Sequence, residues 1–265
     1  VSANVLHEVR LFFIALQFLT RVPVPAWVGW RADWMHASAR HFPAVGLVVG
    51  AFGALVLWAA AHLWPGAVAV GLSMVATVWM TGAFHEDGLA DTCDALGGTV
   101  SRERSLEIMK DSRIGSYGSV GLVAMLGLKA AALYGLAARD FDAVLLALPL
   151  AHAWSRAVPV LLLRWLPYAG DVEHAKAKPM AQQASDATLL MALAWCLISG
   201  LAAAFCGLGG LRQLPAALAA AAVAVLMARW LRLRLGGYTG DTLGAAQQGA
   251  ELAVYLALLA VLSHG

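Results

Sequence analysis

Apolar runs long enough to cross a bilayer recur along the chain, at residues 44–63, 67–84, 119–138, 144–163, 188–208 and 215–231. A shorter run at 250–262 must recruit Ala245 or residues before it to do the same. About 20 apolar residues, at 1.5 Å of rise each, match the roughly 30 Å hydrocarbon core. Inside lipid every backbone polar group has to be satisfied by the protein itself, which confines a spanning chain to helices or a closed barrel. Runs of this length and continuity predict helices. The expected fold is therefore all-α, a polytopic integral membrane helix bundle of about seven spans. Charged residues make up 13% of the chain and hydrophobic ones 61%. Soluble domains carry about 25% charged residues, so lipid is the expected solvent.

Residues 5–19 mix charge into helical apolar spacing and are expected to form an interfacial amphipathic helix, ended by Arg21-Val22-Pro23-Val24-Pro25. That opening stretch shows no cleavage signal and is not expected to be a secretory leader. Basic residues are strongly biased in the connecting segments. Fourteen lie in the N-terminal arm, the loops after spans two and four, and the segment after span six, against Arg139 and Arg212 on the other side. Positive loops stay in the cytoplasm, so those four segments are expected to be cytoplasmic. A net charge of +2 excludes nucleic acid as an obvious partner. Cys93, Cys196 and Cys206 have no metal-ligand spacing. Oligomeric state stays open.

The polar residues that break this pattern cluster on the basic side. Phe84-His85-Glu86-Asp87-Gly88-Leu89-Ala90-Asp91-Thr92-Cys93-Asp94 sets four acids at the end of an apolar run. Carboxylates near lipid are costly and are usually kept for function. On a helix, Asp87, Asp91 and Asp94 fall at i, i+4 and i+7 and share a stripe. Three anions on one stripe invite a hard divalent cation such as Mg2+, although an acid-rich first helical turn would also explain part of the pattern. A second motif, Met109-Lys110-Asp111-Ser112-Arg113-Ile114-Gly115-Ser116, leads into span three. Its Gly and Ser residues would expose helix-start N–H groups to an anion, with Lys110 and Arg113 adding phosphate contacts. A third, Gly236-Gly237-Tyr238-Thr239-Gly240-Asp241-Thr242, permits close backbone approach. Asp241 or Thr242 can cap the next helix, and Asp241 can instead add a metal oxygen. Gln247, Gln248 and Glu251 then enter the membrane. Arg156, with His152 one turn away and Lys129 on span three, needs an anionic partner or substrate. Lys176 and Lys178 read either as a phosphate clamp or as a membrane-facing basic loop.

These motifs together resemble the cobalamin synthase family of adenosylcobinamide-GDP ribazoletransferases. The resemblance is carried by the 85–94 acids, by 109–115 and by Gly240-Asp241-Thr242-Leu243-Gly244-Ala245, in order along nearly the whole chain. Phe18-Leu19-Thr20-Arg21-Val22-Pro23-Val24-Pro25, Phe42-Pro43-Ala44-Val45-Gly46 and Lys176-Ala177-Lys178-Pro179 support it. Ala95 stands where the family pattern has Gly. The resemblance implies a Mg2+-dependent enzyme of the bacterial inner membrane, a single membrane-embedded catalytic domain over residues 1–265, with its site facing the cytoplasm. Its substrates would be adenosylcobinamide-GDP and α-ribazole or its 5′-phosphate, and GMP would leave.

On that reading Asp87, Asp91, Asp94 and Asp241 hold the metal. Lys110, Asp111, Arg113, Gly115, Arg156, Lys176, Lys178, Gly240, Thr242 and Glu251 bind substrate. His85, or an acid not bound to metal, takes the hydroxyl proton. Two other classes compete. A CDP-alcohol phosphotransferase or polyprenyl transferase would use similar acids, but the Asp-Gly-x-x-Ala-Arg run of the former is missing. An ion-coupled transporter would place its polar groups at mid-span in paired repeats, and no repeat is visible.

Overall fold

The computed structural model describes residues 3–170 and 184–264. Among them the chain is helical throughout: α1 (Ala3–Leu19), a 3-10 turn (Ala26–Val28), α2 (Ala32–Ser38), a second 3-10 turn (Ala39–His41), α3 (Phe42–Ala61), α4 (Gly66–Thr81), α5 (Phe84–Leu96), α6 (Arg102–Ile108), α7 (Ser116–Arg139), α8 (Phe141–Trp165), α9 (Asp186–Phe205), α10 (Gly210–Arg234) and α11 (Gly240–His264). Six helical segments are long and apolar enough to cross a membrane, namely 32–61, α7, α8, α9, α10 and 240–263. The expected second span, 67–84, falls on α4, and a seventh crossing is reached only if α4 and α5, bent by 89°, are counted as one span.

That bend has a local cause. The 16 residues of α4 cover about 24 Å at 1.5 Å each, short of a full crossing. Gly82 then closes the helix in the left-handed region (φ 69°), its N–H and that of Ala83 returning to the carbonyls of Trp79 and Val78. Ala83 is also left-handed (φ 58°), the single non-glycine residue so placed among the described residues. Two such residues in succession turn the chain through a right angle, and α5 continues across the end of the bundle instead of along it.

The centre of the bundle is α8, buried along most of its length. Gly46 and Gly50 of α3 face the backbone of His152, Ala153 and Pro149 so closely that a Cβ on either would overlap it. Small residues thus bring two helix backbones together where lipid offers no hydrophobic drive to do so. The short final run of the sequence is resolved by α11, whose 25 residues begin at Gly240. Its polar first half is helical and enclosed by α5, α7, α8 and α10. Helix α1 departs from a purely interfacial role. Ala15, Leu16 and Leu19 join the main hydrophobic core, and Glu8 ties the helix down through Arg40 (2.8 Å) and His41 (3.0 Å).

Candidate active site

Because α5 lies across the bundle end, its acids face a cavity instead of lipid. The cavity holds about 650 Å³ and is lined by His85, Asp87, Gly88 and Asp91 from α5, Arg156 and Pro159 from α8, and Lys110 after α6. Tyr168, Gly170, Thr239, Gly240, Asp241 and Gly244 close another side, while Phe18, Leu19, Phe42, Phe84, Leu106, Met109 and Leu243 supply an apolar wall. Seven of the residues expected from sequence therefore meet here: His85, Asp87, Asp91, Lys110, Arg156, Gly240 and Asp241. A second cavity, at the opposite end of the bundle, is lined by Arg139, Asp140, Leu211, Arg212, Val261 and Leu262 and carries a single carboxylate.

Two glycines set the spacing of the acidic wall. A Cβ on Gly88 would sit 2.7 Å from the Asp241 carbonyl oxygen, and one on Gly244 would sit 3.2 Å from that of His85. Helices α5 and α11 therefore touch backbone to backbone, which brings Asp241 to the face of α5 that carries Asp87 and Asp91. The start of α11 is held by Thr239 and Thr242, a reciprocal cap. The Thr242 hydroxyl donates to the Thr239 carbonyl (2.9 Å) and accepts from the Thr239 N–H (2.9 Å), while the Thr239 hydroxyl accepts from the Thr242 N–H (3.3 Å). Thr242 is thereby buried in the cap and does not reach the cavity, a departure from its expected substrate role.

The loops on this rim are clasped together. Tyr168 and Tyr238 form an isolated bridge, with Ala169 N–H donating to the Tyr238 carbonyl (2.8 Å) and Tyr238 N–H to that of Pro167 (3.0 Å). From α6, Arg102 donates to the carbonyls of Leu235 (2.8 Å) and Ala169 (2.9 Å). Arg234 donates to that of Gly98 (2.9 Å). Arginine forks thus satisfy carbonyls that helix ends leave open.

Four further expectations are corrected. Asp94 is absent from the cavity. Its Oδ2 accepts from Gly115 N–H (2.7 Å) and its Oδ1 from Gly118 N–H (2.8 Å), so it caps α7. Seven residues of helix separate Asp94 from Asp87 by about 10 Å, too far for one ion with bonds near 2.1 Å to hold both. The same contact fills the helix start at Gly115 that was expected to bind phosphate. Arg113 is spent on its neighbour: its Nη2 lies 2.6 Å from Asp111 Oδ2 and its Nε 3.0 Å from Oδ1, on the open surface. Hydrogen bonds from Arg113 hold the Asp111 carboxyl down at about 2. Glu251 lies inside the bundle, 3.0 Å from Lys129 Nζ, and is no part of the cavity lining. Lys176 and Lys178 lie outside the described residues.

Beneath the cavity the buried polar residues form one connected set. Gln248 accepts from Lys129 (2.7 Å) and donates to Glu86 (3.0 Å) and Gln247 (2.9 Å). Gln247 donates to Glu251 (2.8 Å) and Ser155 (2.9 Å). Arg156 contacts His152 Nδ1 and its carbonyl, each at 3.0 Å. Arg156 Nε and Glu86 Oε2 in this layer stay unpaired among the described residues. An unpaired buried donor or acceptor costs about 1–3 kcal/mol, and Arg156 bears that cost at the cavity wall.

The carboxylate set suits a hard cation, since Asp87, Asp91 and Asp241 offer only oxygen donors to the cavity. Among the described residues no three His, Cys, Asp or Glu side chains are gathered tightly enough to hold a metal alone. Mg2+ commonly binds through one or two carboxylates, completing its shell with water and substrate phosphate. The residues fit that mode.

Fold and site together define a polytopic helical membrane protein with a cavity at one end lined by both carboxylates and cations. The family model for cobalamin-5-phosphate synthase matches residues 11–259. The chain belongs to that family. It is 67% identical over 260 residues to the adenosylcobinamide-GDP ribazoletransferase of Leptothrix cholodnii, covering 97% of this chain and 98% of the relative. Proteins of the same name from Shewanella amazonensis (44% over 259 residues, 97% and 98% covered) and Vibrio cholerae (41% over 266 residues, 100% and 98% covered) are also similar. No solved structure matches the chain.

Sequence reasoning did not pick out the apolar wall. Phe18, Leu19, Phe42, Met109 and Leu243 sit in segments that carried the family resemblance, which was the one signal available; Phe84 only opens the acidic stretch, and Leu106 looks like an ordinary bundle residue. The Glu86–Gln248–Lys129 chain was also missed, because it joins residues 119 and 162 positions apart.

Proposed function

We propose that this protein transfers the adenosylcobinamide phosphate of adenosylcobinamide-GDP to α-ribazole or its 5′-phosphate, releasing GMP and forming adenosylcobalamin or its phosphate. The observation that carries the reading is the meeting of Asp87, Asp91 and Asp241 with Lys110, Arg156 and His85 on one cavity, in a chain whose relatives bear that name. A ribazole hydroxyl attacks the phosphorus next to the cobinamide arm, the bond from that phosphorus to the GMP oxygen breaks, and GMP departs with the electron pair. One or two of the carboxylates Asp87, Asp91 and Asp241 would hold Mg2+, with water and substrate phosphate completing its shell, and the bound ion would neutralise charge on the diphosphate. Lys110 supplies a mobile positive charge at the cavity edge. Arg156 offers its unpaired Nε and planar fork to phosphate oxygen from below. His85 lines the cavity beside Asp87 and is the candidate to accept the hydroxyl proton.

The positive-loop bias supports an inner-membrane protein whose cavity faces the cytoplasm. Purified protein in detergent, supplied with adenosylcobinamide-GDP and α-ribazole, is expected to release GMP with Mg2+ and to stop when the metal is chelated. Absence of GMP release by well-folded, Mg2+-supplied protein would overturn the reading and favour transport. Single cysteines placed at 98–101 and at the exposed position 232 should resist impermeant thiol reagents in intact cells and react in inverted vesicles.

A further inference from the structure

The cavity lining has two chemically distinct parts, and the roles proposed above for the acids and cations use only one. Beside them the same cavity carries a row of rings: Phe42 stacks on Phe18 at 5.9 Å with planes 15° apart, Phe18 meets Phe84 edge-on at 5.3 Å, and Phe84 meets His85 at 5.4 Å. Leu19, Leu106, Met109 and Leu243 surround the row. Phe84 is 44% exposed although it begins a helix at the heart of the site. A large apolar ring kept open at a cavity edge is what a flat ligand stacks upon.

We infer that this aromatic wall is the subsite for the planar base of the acceptor nucleoside, and that it sets the preference of the enzyme among bases. The inference rests on the transferase reading above. Three flat bases enter the reaction, the guanine and the adenosyl adenine of the donor and the dimethylbenzimidazole of the acceptor, and the wall distinguishes the last from the two polar purines. Guanine, on the donor, carries an oxygen acceptor, N–H and NH2 donors and two bare ring nitrogens. None of the seven apolar residues of the wall can pair with these groups, and burying polar groups unpaired is unfavourable. The dimethylbenzimidazole of α-ribazole has one nitrogen bonded to ribose, one bare nitrogen and two methyl groups. It buries almost wholly apolar surface against rings and Leu side chains. The row also ends at His85, so a base stacked on Phe18 and Phe84 leaves its ribose toward the group that takes the hydroxyl proton. Guanine is left to the polar side of the site.

The test is steady-state kinetics of the full-length protein in detergent with both substrates varied, for the parent, Phe18→Leu and Phe84→Leu. Leucine keeps apolar bulk and removes the ring. Loss of one base–ring stack should raise KM for α-ribazole roughly fivefold to hundredfold, with KM for adenosylcobinamide-GDP within twofold of the parent. That donor KM also reports that the variant is folded. In addition, the parent should prefer dimethylbenzimidazole α-riboside over the benzimidazole α-riboside, and both over the adenine α-riboside, with the variants narrowing these ratios. An unchanged acceptor KM in both variants overturns the assignment, as does a rise confined to the donor KM, which would put a base of the donor on the wall. A parent that turns over but discriminates equally among the three bases also overturns it. A parent that releases no GMP at all refutes the transferase reading itself.

Discussion

Asp94 and Asp91 differ by less than one helical turn and should fail in opposite ways when each is changed to Asn. The Asp94 carboxylate takes the N–H groups of Gly115 and Gly118 at 2.7 and 2.8 Å. The N-cap position of α7 is itself a glycine with no side chain to accept them, so its first turn depends on this carboxylate. Asparagine offers one acceptor oxygen and turns an NH2 group toward the other N–H. The loss is one hydrogen bond to a charged acceptor, about 1.5–3 kcal/mol, plus about 0.3–1 kcal/mol of helix-dipole attraction, and so about 2–4 kcal/mol together. At roughly 2–4 °C per kcal/mol for chains of about this size, Asp94→Asn should unfold about 5–15 °C lower in detergent. Its Mg2+ dependence, measured as GMP release against metal concentration, should stay within twofold of the parent in surviving activity. Asp91 lines the cavity, so Asp91→Asn should lose most Mg2+-dependent turnover. A parental midpoint in Asp94→Asn together with a shifted Mg2+ optimum would refute the capping role and restore Asp94 to the metal site.

Two further outcomes follow from contacts already described. Gly88→Ala should lower the unfolding midpoint and turnover together, because the new Cβ meets the Asp241 carbonyl at 2.7 Å and its Cα at 3.0 Å; a parental midpoint and rate would mean the α5–α11 seam is loose. Arg113→Lys should change the rate less than threefold, since Arg113 pairs with Asp111 on the open surface, where ion pairs are worth little. Asp111 has its pKa depressed to about 2, so its pairing is complete above the unfolded value near 4 and lost only as pH falls through the folded one. The pH–rate profile of Asp111→Asn should therefore overlay that of the parent from pH 5 to 9, and a displaced limb would count against this placement.

The spans were legible because a 20-residue apolar run has few physical alternatives in lipid. The break between α4 and α5 was only half legible. Gly82 is a familiar helix stop, but nothing in the letter Ala83 announces a left-handed residue, and the right angle depends on both. The stripe of Asp87 and Asp91 followed from helical periodicity. Asp94 shares that periodicity and parts from it through a partner 21 residues away, which no local pattern encodes. Arg113 was misjudged for the opposite reason: its partner is two residues off, and the fork closes on Asp111 before it can reach a substrate. Glu251 looked like a ligand because an acid inside a membrane demands a cation, and Lys129 supplies it.

That pair bears on how the protein is made. Lys129 sits within α7, and its amide partner Gln248 is translated 119 residues later. Insertion of a helix with a lysine near its centre costs about 2.5–3.5 kcal/mol on the translocon scale, and Glu251 places a similar burden on α11. Each helix enters the bilayer poorly by itself and well beside the other. While α8, α9 and α10 are being synthesised, α7 has an unmatched cation that must stay near the translocon or the membrane surface. Arrival of α11 neutralises it, and the same event brings Asp241 against Gly88. A chain released before its last helix would therefore expose a lysine in lipid and lack the far wall of its cavity, so that membrane quality control would remove the very molecules that cannot work.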